Sequence, residues 1–389
     1  MKKIAKVLSL VLALAMVFTL AACGGSNSAG STTAASSTKA ASTAASSTKA
    51  ASTAASTAAA STEAAPAAAD GTVYTFNIDF PNPETASAFR ALTDWSAYLK
   101  EKSNGRLEMK IYSGGALGAL PDCVSNCESG VTDGFWSGVT IYPGVFPATE
   151  VMGLPMLGAK NFKVVNKALN ALLEEYPVIT DEWKNFKVVA LHSSAGSPIL
   201  YSGEAASVQD ILNGHNLRIS NAYTTEWFAK LGANPVSLGI NDGYENIQKS
   251  VIDGGLFFFD QVESSALYEV IKTLYVGQTI YPLNMLCLNI DKYNALPDDL
   301  KAIIDESGDF FLEASIGYFD EQQDRMIGVC EDHGVKVIYE DEASTEWLAG
   351  GADVAWQKWI DTINGQGLPG DEIFAKAQEY VQKFNAEEE

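Results

Sequence analysis

From about residue 72 onward the chain alternates between two hydrophobic periods. Thr72 to Phe80 carries Val73, Phe76, Ile78 and Phe80 in a strand-like pattern. Pro83 to Lys102 then repeats its apolar residues every three or four positions, so that Ala88, Leu92, Trp95 and Leu99 share one helical face. Asn104-Gly105 follows in the manner of a C-cap. Arg106 to Tyr112 alternates strictly, with Leu107, Met109 and Ile111 on one side and Arg106, Glu108 and Lys110 on the other, the period of a half-buried strand. Ser113-Gly114-Gly115 reads as a turn into a helix near Leu120 to Ser129, and Val131 to Ser137 as the next strand. Asn161 to Glu175 is helical by the spacing of Val164, Val165, Ala168, Leu169, Leu172 and Leu173, and Phe186 to His192 is a compact strand.

Further on, Leu217 to Ser220, Pro235 to Leu238 and Gly255 to Asp260 are short strand candidates, with helices expected at Thr224 to Leu231 and Asp242 to Ser250. Pro297 to Asp332 fits one long helix or two stacked ones. The strand Gly334 to Tyr339 follows, then helices near Thr345 to Asn364 and Gly370 to Phe384. Strands alternating with helices predict α/β sheets covered on both faces. Two such sheets imply a ligand crevice at the carboxyl ends of the strands, between lobes.

The first 70 residues follow a different rule. Lys2, Lys3 and Lys6 precede an apolar run from Val7 to Leu20, about 14 residues where a membrane span needs roughly 20. With the small residues that follow, this is the pattern of a secretory signal, assigned to residues 1–22. Leu20-Ala21-Ala22-Cys23 resembles a bacterial lipobox, which would leave Cys23 at the mature N-terminus carrying lipid; an ordinary secreted protein with a cysteine there is the alternative. Residues 24–70 are almost wholly Ala, Ser and Thr, with Ala-Ser-Ser-Thr-Lys-Ala-Ala-Ser-Thr-Ala at Ala35 and again at Ala45. Without bulky apolar residues this stretch cannot offset its ordering entropy, so residues 23–70 are expected to be a lipidated tether spanning about 35–40 Å.

Charge narrows the partners. The chain has 26 Lys and Arg against 48 Asp and Glu; five of the basic and two of the acidic residues precede Gly71, leaving 21 against 46, a net of about −25 on the folded part. Nucleic acid and anionic lipid surfaces are therefore poor direct partners, whereas a small anion responds to local charge. Cys123, Cys127, Cys287 and Cys330 could be buried thiols or disulfides, and with only three histidines a zinc site is poorly supported. No cofactor is expected.

No catalytic signature is present: there is no Gly-x-Ser-x-Gly elbow, no His-Glu-x-x-His and no phosphate loop. The glycines from Gly114 to Gly118 lack the accompanying lysine of a phosphate cradle. His192 lies at a strand end beside two serines, but without a paired carboxylate it reads as a structural histidine. Arg218, in Asn216-Leu217-Arg218-Ile219-Ser220, is flanked by apolar residues where an unpaired guanidinium is costly to bury. It needs a carboxylate, the protein's own or a ligand's.

Several segments in register resemble the DctP-like solute-binding proteins of TRAP (tripartite ATP-independent periplasmic) transporters. They are Leu231 to Val236, Tyr244 to Gly254, Tyr268 to Lys272, Gly105 to Glu108 with the turn Gly114 to Gly118, Glu128 to Asp133, Leu154-Pro155, and Asn289 through Tyr293 to Pro297. The resemblance covers roughly residues 72–335 and implies a two-lobed type II periplasmic-binding-protein-like α/β fold with an interlobe ligand cleft and long hinge-spanning helices. Residues 71–196 and 285–332 would form lobe 1, and residues 197–284 and 333–389 lobe 2. It implies capture of an organic acid for separate integral membrane TRAP subunits, with no catalysis and attachment to the membrane only through the lipid anchor, on the extracytoplasmic face. Arg218 matches the arginine that clamps the ligand carboxylate in that family.

Two departures bear on the ligand. Ser197-Pro198-Ile199 stands where many relatives carry a second arginine, and Phe257 where many carry an asparagine. Both favour a monocarboxylate with an apolar or aromatic body over a small polar diacid. Phe80, Phe135, Trp136, Tyr223 and Phe257 are the candidate wall around Arg218. A receptor for an ATP-driven importer shares these features; a surface adhesin or sensor, or a cell-wall hydrolase, are the alternatives from other classes.

Overall fold

A computed structural model describes residues 71–388; the segments read above as signal sequence and tether, with Cys23, lie outside the described residues. The chain opens with β1 (Tyr74–Phe80), α1 (Ser87–Lys102), β2 (Leu107–Ser113), α2 (Cys123–Glu128) and β3 (Gly134–Gly138), followed by α3 (Phe162–Glu175), α4 (Pro177–Asp181) and β4 (Phe186–Ser193). It then crosses into β5 (Ile199–Tyr201), α5 (Val208–Leu212), β6 (Asn216–Arg218), α6 (Ala222–Lys230), β7 (Asn234–Val236), α7 (Gly243–Gln248), β8 (Gly254–Leu256), α8 (Phe259–Ser264) and β9 (Thr273–Val276). The return passes through β10 (Leu283–Asn289), α9 (Ile290–Asn294) and α10 (Asp298–Asp332) to β11 (Lys336–Tyr339), α11 (Glu342–Ala349), α12 (Asp353–Gly365) and α13 (Gly370–Glu387).

These strands make two sheets, ordered β2-β1-β3-β10-β4 and β11-β9-β5-β8-β6-β7. In the first, β1 runs parallel to β2 and β3, while β10 lies antiparallel between β3 and β4. In the second, β5 is the strand antiparallel to its neighbours. Thus β10 and β5 are the strands where the chain changes lobe. Their two linkers are hydrogen-bonded to each other, Ser194 N–H to Pro282 O (3.1 Å) and Ser197 N–H to Ile280 O (2.9 Å), and a Cβ on Gly196 would meet Gly277 O at 2.9 Å. Two hydrogen-bonded strands with little side chain between them are the material of a hinge.

A third connection is α10, a single helix of 35 residues. Its first half packs on α1, where the buried Trp95 Nε1–H donates to Ser307 Oγ (2.8 Å). Its second half reaches α8 through the Arg325–Glu263 ion pair (2.6 Å). Asn161 caps α3 by accepting from Val164 N–H (3.0 Å), as expected where a short polar side chain precedes an apolar-periodic run.

Besides strands β5, β9 and β10, which the periodicity does not predict, the structure departs from the sequence reading in three places. The strand expected over Gly255 to Asp260 stops at Leu256, because Phe258 opens α8, its N–H bonded to Gln261 Oε1 (3.3 Å). The helix expected over Thr345 to Asn364 is two helices, parted at Gly350-Gly351, where a Cβ on Gly351 would sit 2.8 Å from Leu231. The C-terminal helices are not confined to lobe 2. Helix α13 packs on α3, Asn385 Oδ1 accepting from Lys160 N–H (2.9 Å), while α12 ties to the Pro147–Pro155 segment through Trp359 and Trp356 (both 2.8 Å). All four described cysteines are free, buried thiols, and burial pushes Cys123 and Cys127 up to about 12.

Candidate functional site

The strand ends of the first sheet and the turns of the second enclose a cavity of about 520 Å³. One wall comes from residues just past β1 and β2, from the end of β3, and from the two hinge linkers: Asn82, Gly114, Trp136 to Gly138, Ser194 and Pro282 to Asn284. The facing wall is Ile240-Asn241 and Phe258 to Gln261, and Phe319 and Gln322 of α10 close the hinge side. Gly114 has φ +65° and donates its N–H to Asn82 O (2.9 Å), which joins the ends of β1 and β2 in a conformation that favours glycine.

Trp136 and Phe135 alternate on β3. Trp136 faces the cavity, backed by Phe80 with ring centroids 5.4 Å apart. Phe135 points the other way into the core, edge-on to Phe186 at 5.7 Å. The Trp136 indole donates to His192 Nε2 (3.3 Å); since an indole N–H only donates, that nitrogen accepts, and Nδ1–H goes to Ser193 O (3.2 Å). His192 is fully buried, and desolvation lowers its pKa to about 4, so the ring is neutral.

Arg218 ends β6. Its approach to β8 depends on glycine: a Cβ on Gly255 (φ +151°) would lie 2.5 Å from Arg218 O, and one on Gly254 would lie 2.0 Å from Leu200 O. The Arg218 side chain is 6% exposed. Nε–H donates to Leu238 O (3.2 Å), Nη1–H to Leu256 O (2.7 Å) and Nη2–H to Ser220 Oγ (3.2 Å). Leu238 and Leu256 each stand two residues ahead of the wall segments beginning at Ile240 and Phe258, so two of the guanidinium's partners adjoin that wall in sequence, while Arg218 itself does not line the cavity. Phe257 lies against it with the ring centroid 5.3 Å from Cζ. Among the described residues no carboxylate forms an ion pair with Arg218; burial lowers its pKa to about 10, with Asp242 opposing at longer range, and it stays charged.

Of the sequence candidates, Trp136 lines the cavity, whereas Arg218 and Phe257 pack on each other outside its lining. Phe80 supports Trp136 from beneath. Tyr223, in the first turn of α6, is buried away from the cavity, with burial and nearby Glu150 raising its hydroxyl to about 12. The wall itself includes aromatic residues that periodicity did not mark: Phe258, Phe259 and Phe319. Asp260 lines the cavity too. It keeps some accessible surface there but lies deep in the cleft, where desolvation lifts its carboxyl to about 6 against the backbone amides of Asp260 and Gln261.

Comparison with known proteins gives this geometry a context. The 2,3-diketo-L-gulonate-binding periplasmic protein of Escherichia coli K12 is 22% identical over 260 residues, 67% of this chain and 79% of that protein. A TRAP solute-binding protein from a marine metagenome, specific for aromatic acids and crystallised with 3-hydroxybenzoate, aligns with a TM-score of 0.74 at 23% identity, covering 80% of this chain and 99% of the other. A TRAP protein of Chromohalobacter salexigens with bound D-glucuronate aligns with a TM-score of 0.70 at 19% identity, over 78% and 99%. These likenesses show the two-lobed solute-binding fold. Residues 81–362 match the family described as bacterial extracellular solute-binding protein, family 7, and the chain belongs to that family, DctP.

Proposed function

We propose that the chain captures a small organic acid in the interlobe cavity, with its carboxylate on Arg218, and delivers it to the membrane subunits of a TRAP-type transporter. The observation that carries this reading is a buried guanidinium without a carboxylate partner among the described residues. Three of its five N–H groups are used on two carbonyls and a hydroxyl, and one remains on each terminal nitrogen, the pair that grips a carboxylate bidentately. The acid would reach them past Ile240 and Phe258, and Phe257 would hold the guanidinium plane in place.

Trp136, Phe258, Phe259 and Phe319 suit an apolar or aromatic body on that acid, and about 520 Å³ suits a small molecule. The 3-hydroxybenzoate bound by the marine relative is of that kind. No covalent chemistry is assigned: neutral His192 has both ring nitrogens engaged and serves to position Trp136. We assign Cys23 the role of lipid anchor, with residues 24–70 as its tether on the extracytoplasmic face.

The test is binding by the purified protein after unfolding and refolding to strip carried-over ligand. Aromatic and aliphatic monocarboxylates, dicarboxylates and sugar acids would be screened by thermal shift. A ligand at 100 times its Kd adds about 2.7 kcal/mol to native stability. Arg218→Ala is expected to weaken the selected acid by about 30-fold or more, since truncating one partner of a buried charge pair costs roughly 2–5 kcal/mol. Unchanged affinity in a folded Arg218→Ala protein would refute the clamp.

A further inference from the structure

The cavity holds a second set of polar groups, and among the described residues the Asn284 amide nitrogen is left without a partner. Asn284 is the second residue of β10, paired across the sheet with Gly138 on one side and His192 on the other. It is 6% exposed, and its Nδ2 has no hydrogen-bond partner. Buried amide donors are almost always paired, because leaving one unmade costs about 1–3 kcal/mol. Gln322, 8% exposed, also lines the cavity with no hydrogen bond to its side chain among the described residues. Asp260 lines it from the other lobe, and no cation among the described residues pairs with its carboxylate.

All three groups line the same cavity, Asn284 and Gln322 beside the hinge and Asp260 on the wall facing Asn284. His192, the cross-strand neighbour of Asn284, stacks on Phe319 with centroids 5.8 Å apart, and Gln322 lies one turn beyond Phe319 on the same face of α10. Helix α8, which carries Asp260, is held to α10 by Arg325–Glu263. Arg218, by contrast, lies outside the cavity lining.

We infer that Asn284, Gln322 and Asp260 form a second recognition point that reads a hydroxyl on the body of the bound acid. The inference rests on the reading of this cavity as an organic-acid site. A hydroxyl matches the set because it both accepts and donates: its oxygen takes the Asn284 amide proton, and its O–H goes to the acceptor-only Asp260 carboxylate, with Gln322 able to play either part. A second carboxylate at the same place would meet Asp260 with like charge. The ligand class is therefore a hydroxylated monocarboxylic acid, ahead of its deoxy parent and of a dicarboxylate of equal length.

The experiment is calorimetric titration of the ligand-stripped protein with matched pairs differing by one hydroxyl: phenylacetate with mandelate and with 3-hydroxyphenylacetate, and butyrate with its hydroxy derivatives. In the unaltered protein at least one hydroxylated acid should bind about tenfold or more tightly than its parent. Asn284→Leu should bring that ratio to within a few-fold by weakening the hydroxylated acid more than its parent, and it should not lower the melting temperature of the free protein. A purely structural asparagine would lower that temperature and weaken both acids alike. Should Asn284→Leu not fold, Gln322→Leu and Asp260→Asn carry the same test. A ratio below a few-fold in the unaltered protein, or one unmoved by these substitutions, overturns the second recognition point while leaving the Arg218 clamp standing. Arg218→Ala should weaken both members of a pair equally. Failure of every acid to bind the unaltered protein overturns both readings together.

Discussion

His192 is held by Trp136 on one ring nitrogen and by Ser193 on the other, and this pairing gives the molecule a pH dependence of defined sign. In the native state burial holds its pKa at about 4, against 6.5 for the unperturbed side chain. The unfolded chain therefore takes up the proton first as pH falls. The stability associated with the neutral ring is fully present above about 6.5 and is lost progressively towards pH 4, amounting to about 2 kcal/mol at pH 5. Glu150 works in the opposite sense: burial and Glu182 raise its carboxyl to about 7, so it favours the folded state as the solution becomes more acid. Total stability mixes the two, and the informative quantity is a difference between proteins. His192→Gln keeps an acceptor for the Trp136 indole but cannot take up a proton. Denaturant unfolding at pH 7.5 and pH 5 should show the unaltered protein losing about 2 kcal/mol relative to His192→Gln across that interval; parallel losses would mean that native His192 titrates like the unfolded side chain, near 6.5 and not near 4.

Helix α10 crosses from the first lobe to the second, and one of its three glycines meets surroundings that the other two do not. A Cβ on Gly308 would lie 2.4 Å from Val189 O of β4, whereas one on Gly317 would meet nothing within 4 Å. Gly308→Ala should therefore destabilise the protein by about 1–3 kcal/mol despite its better helix propensity, because backbone has to give way. Gly317→Ala should stabilise it by about 0.5–1 kcal/mol, the intrinsic gain of alanine in a helix interior. Urea unfolding of both variants checks the pair; equal effects would show that α10 does not press on β4 at Gly308. At this scale much of the fold was legible, because α1, β2 and α3 each bury one face more deeply than the other, which writes a period into the sequence. Strand β10 has no such period: buried at all seven positions, Leu-Asn-Met-Leu-Cys-Leu-Asn reads as a featureless run, and it went unrecognised. Phe257-Phe258-Phe259 looked like strand, while the turn and short helix that begin there depend on a cap from Gln261. The site shows the same division. Arg218 stood out because a guanidinium between apolar neighbours is anomalous in any fold, but Phe319, Asn284 and Asp260 meet only after the chain has crossed between lobes, and no local pattern marks that.

Over the whole molecule, three connections join the lobes: the paired linkers around Ser197 and Ile280, the long helix α10, and the C-terminal helices laid across both. Among the described residues no helix is long and apolar enough to cross a membrane. The folded part also carries about 25 net negative charges, 46 acidic against 21 basic residues, which opposes adsorption to anionic lipid. A receptor that must hand its ligand to membrane subunits gains encounter frequency from being held near them, and lipid on Cys23 would do this without any adhesive surface on the folded part. Each buried CH₂ contributes about 0.8 kcal/mol, so one chain holds only marginally and durable attachment calls for more than one. Cells fed a labelled fatty acid should incorporate it into the unaltered protein and not into Cys23→Ser. The unaltered protein should also partition into the detergent phase after cell lysis. Equal label in both proteins would place the lipid elsewhere on the chain, and label in neither would mean that Leu20-Ala21-Ala22-Cys23 ends an ordinary secretory signal, leaving the receptor to meet its transporter by diffusion.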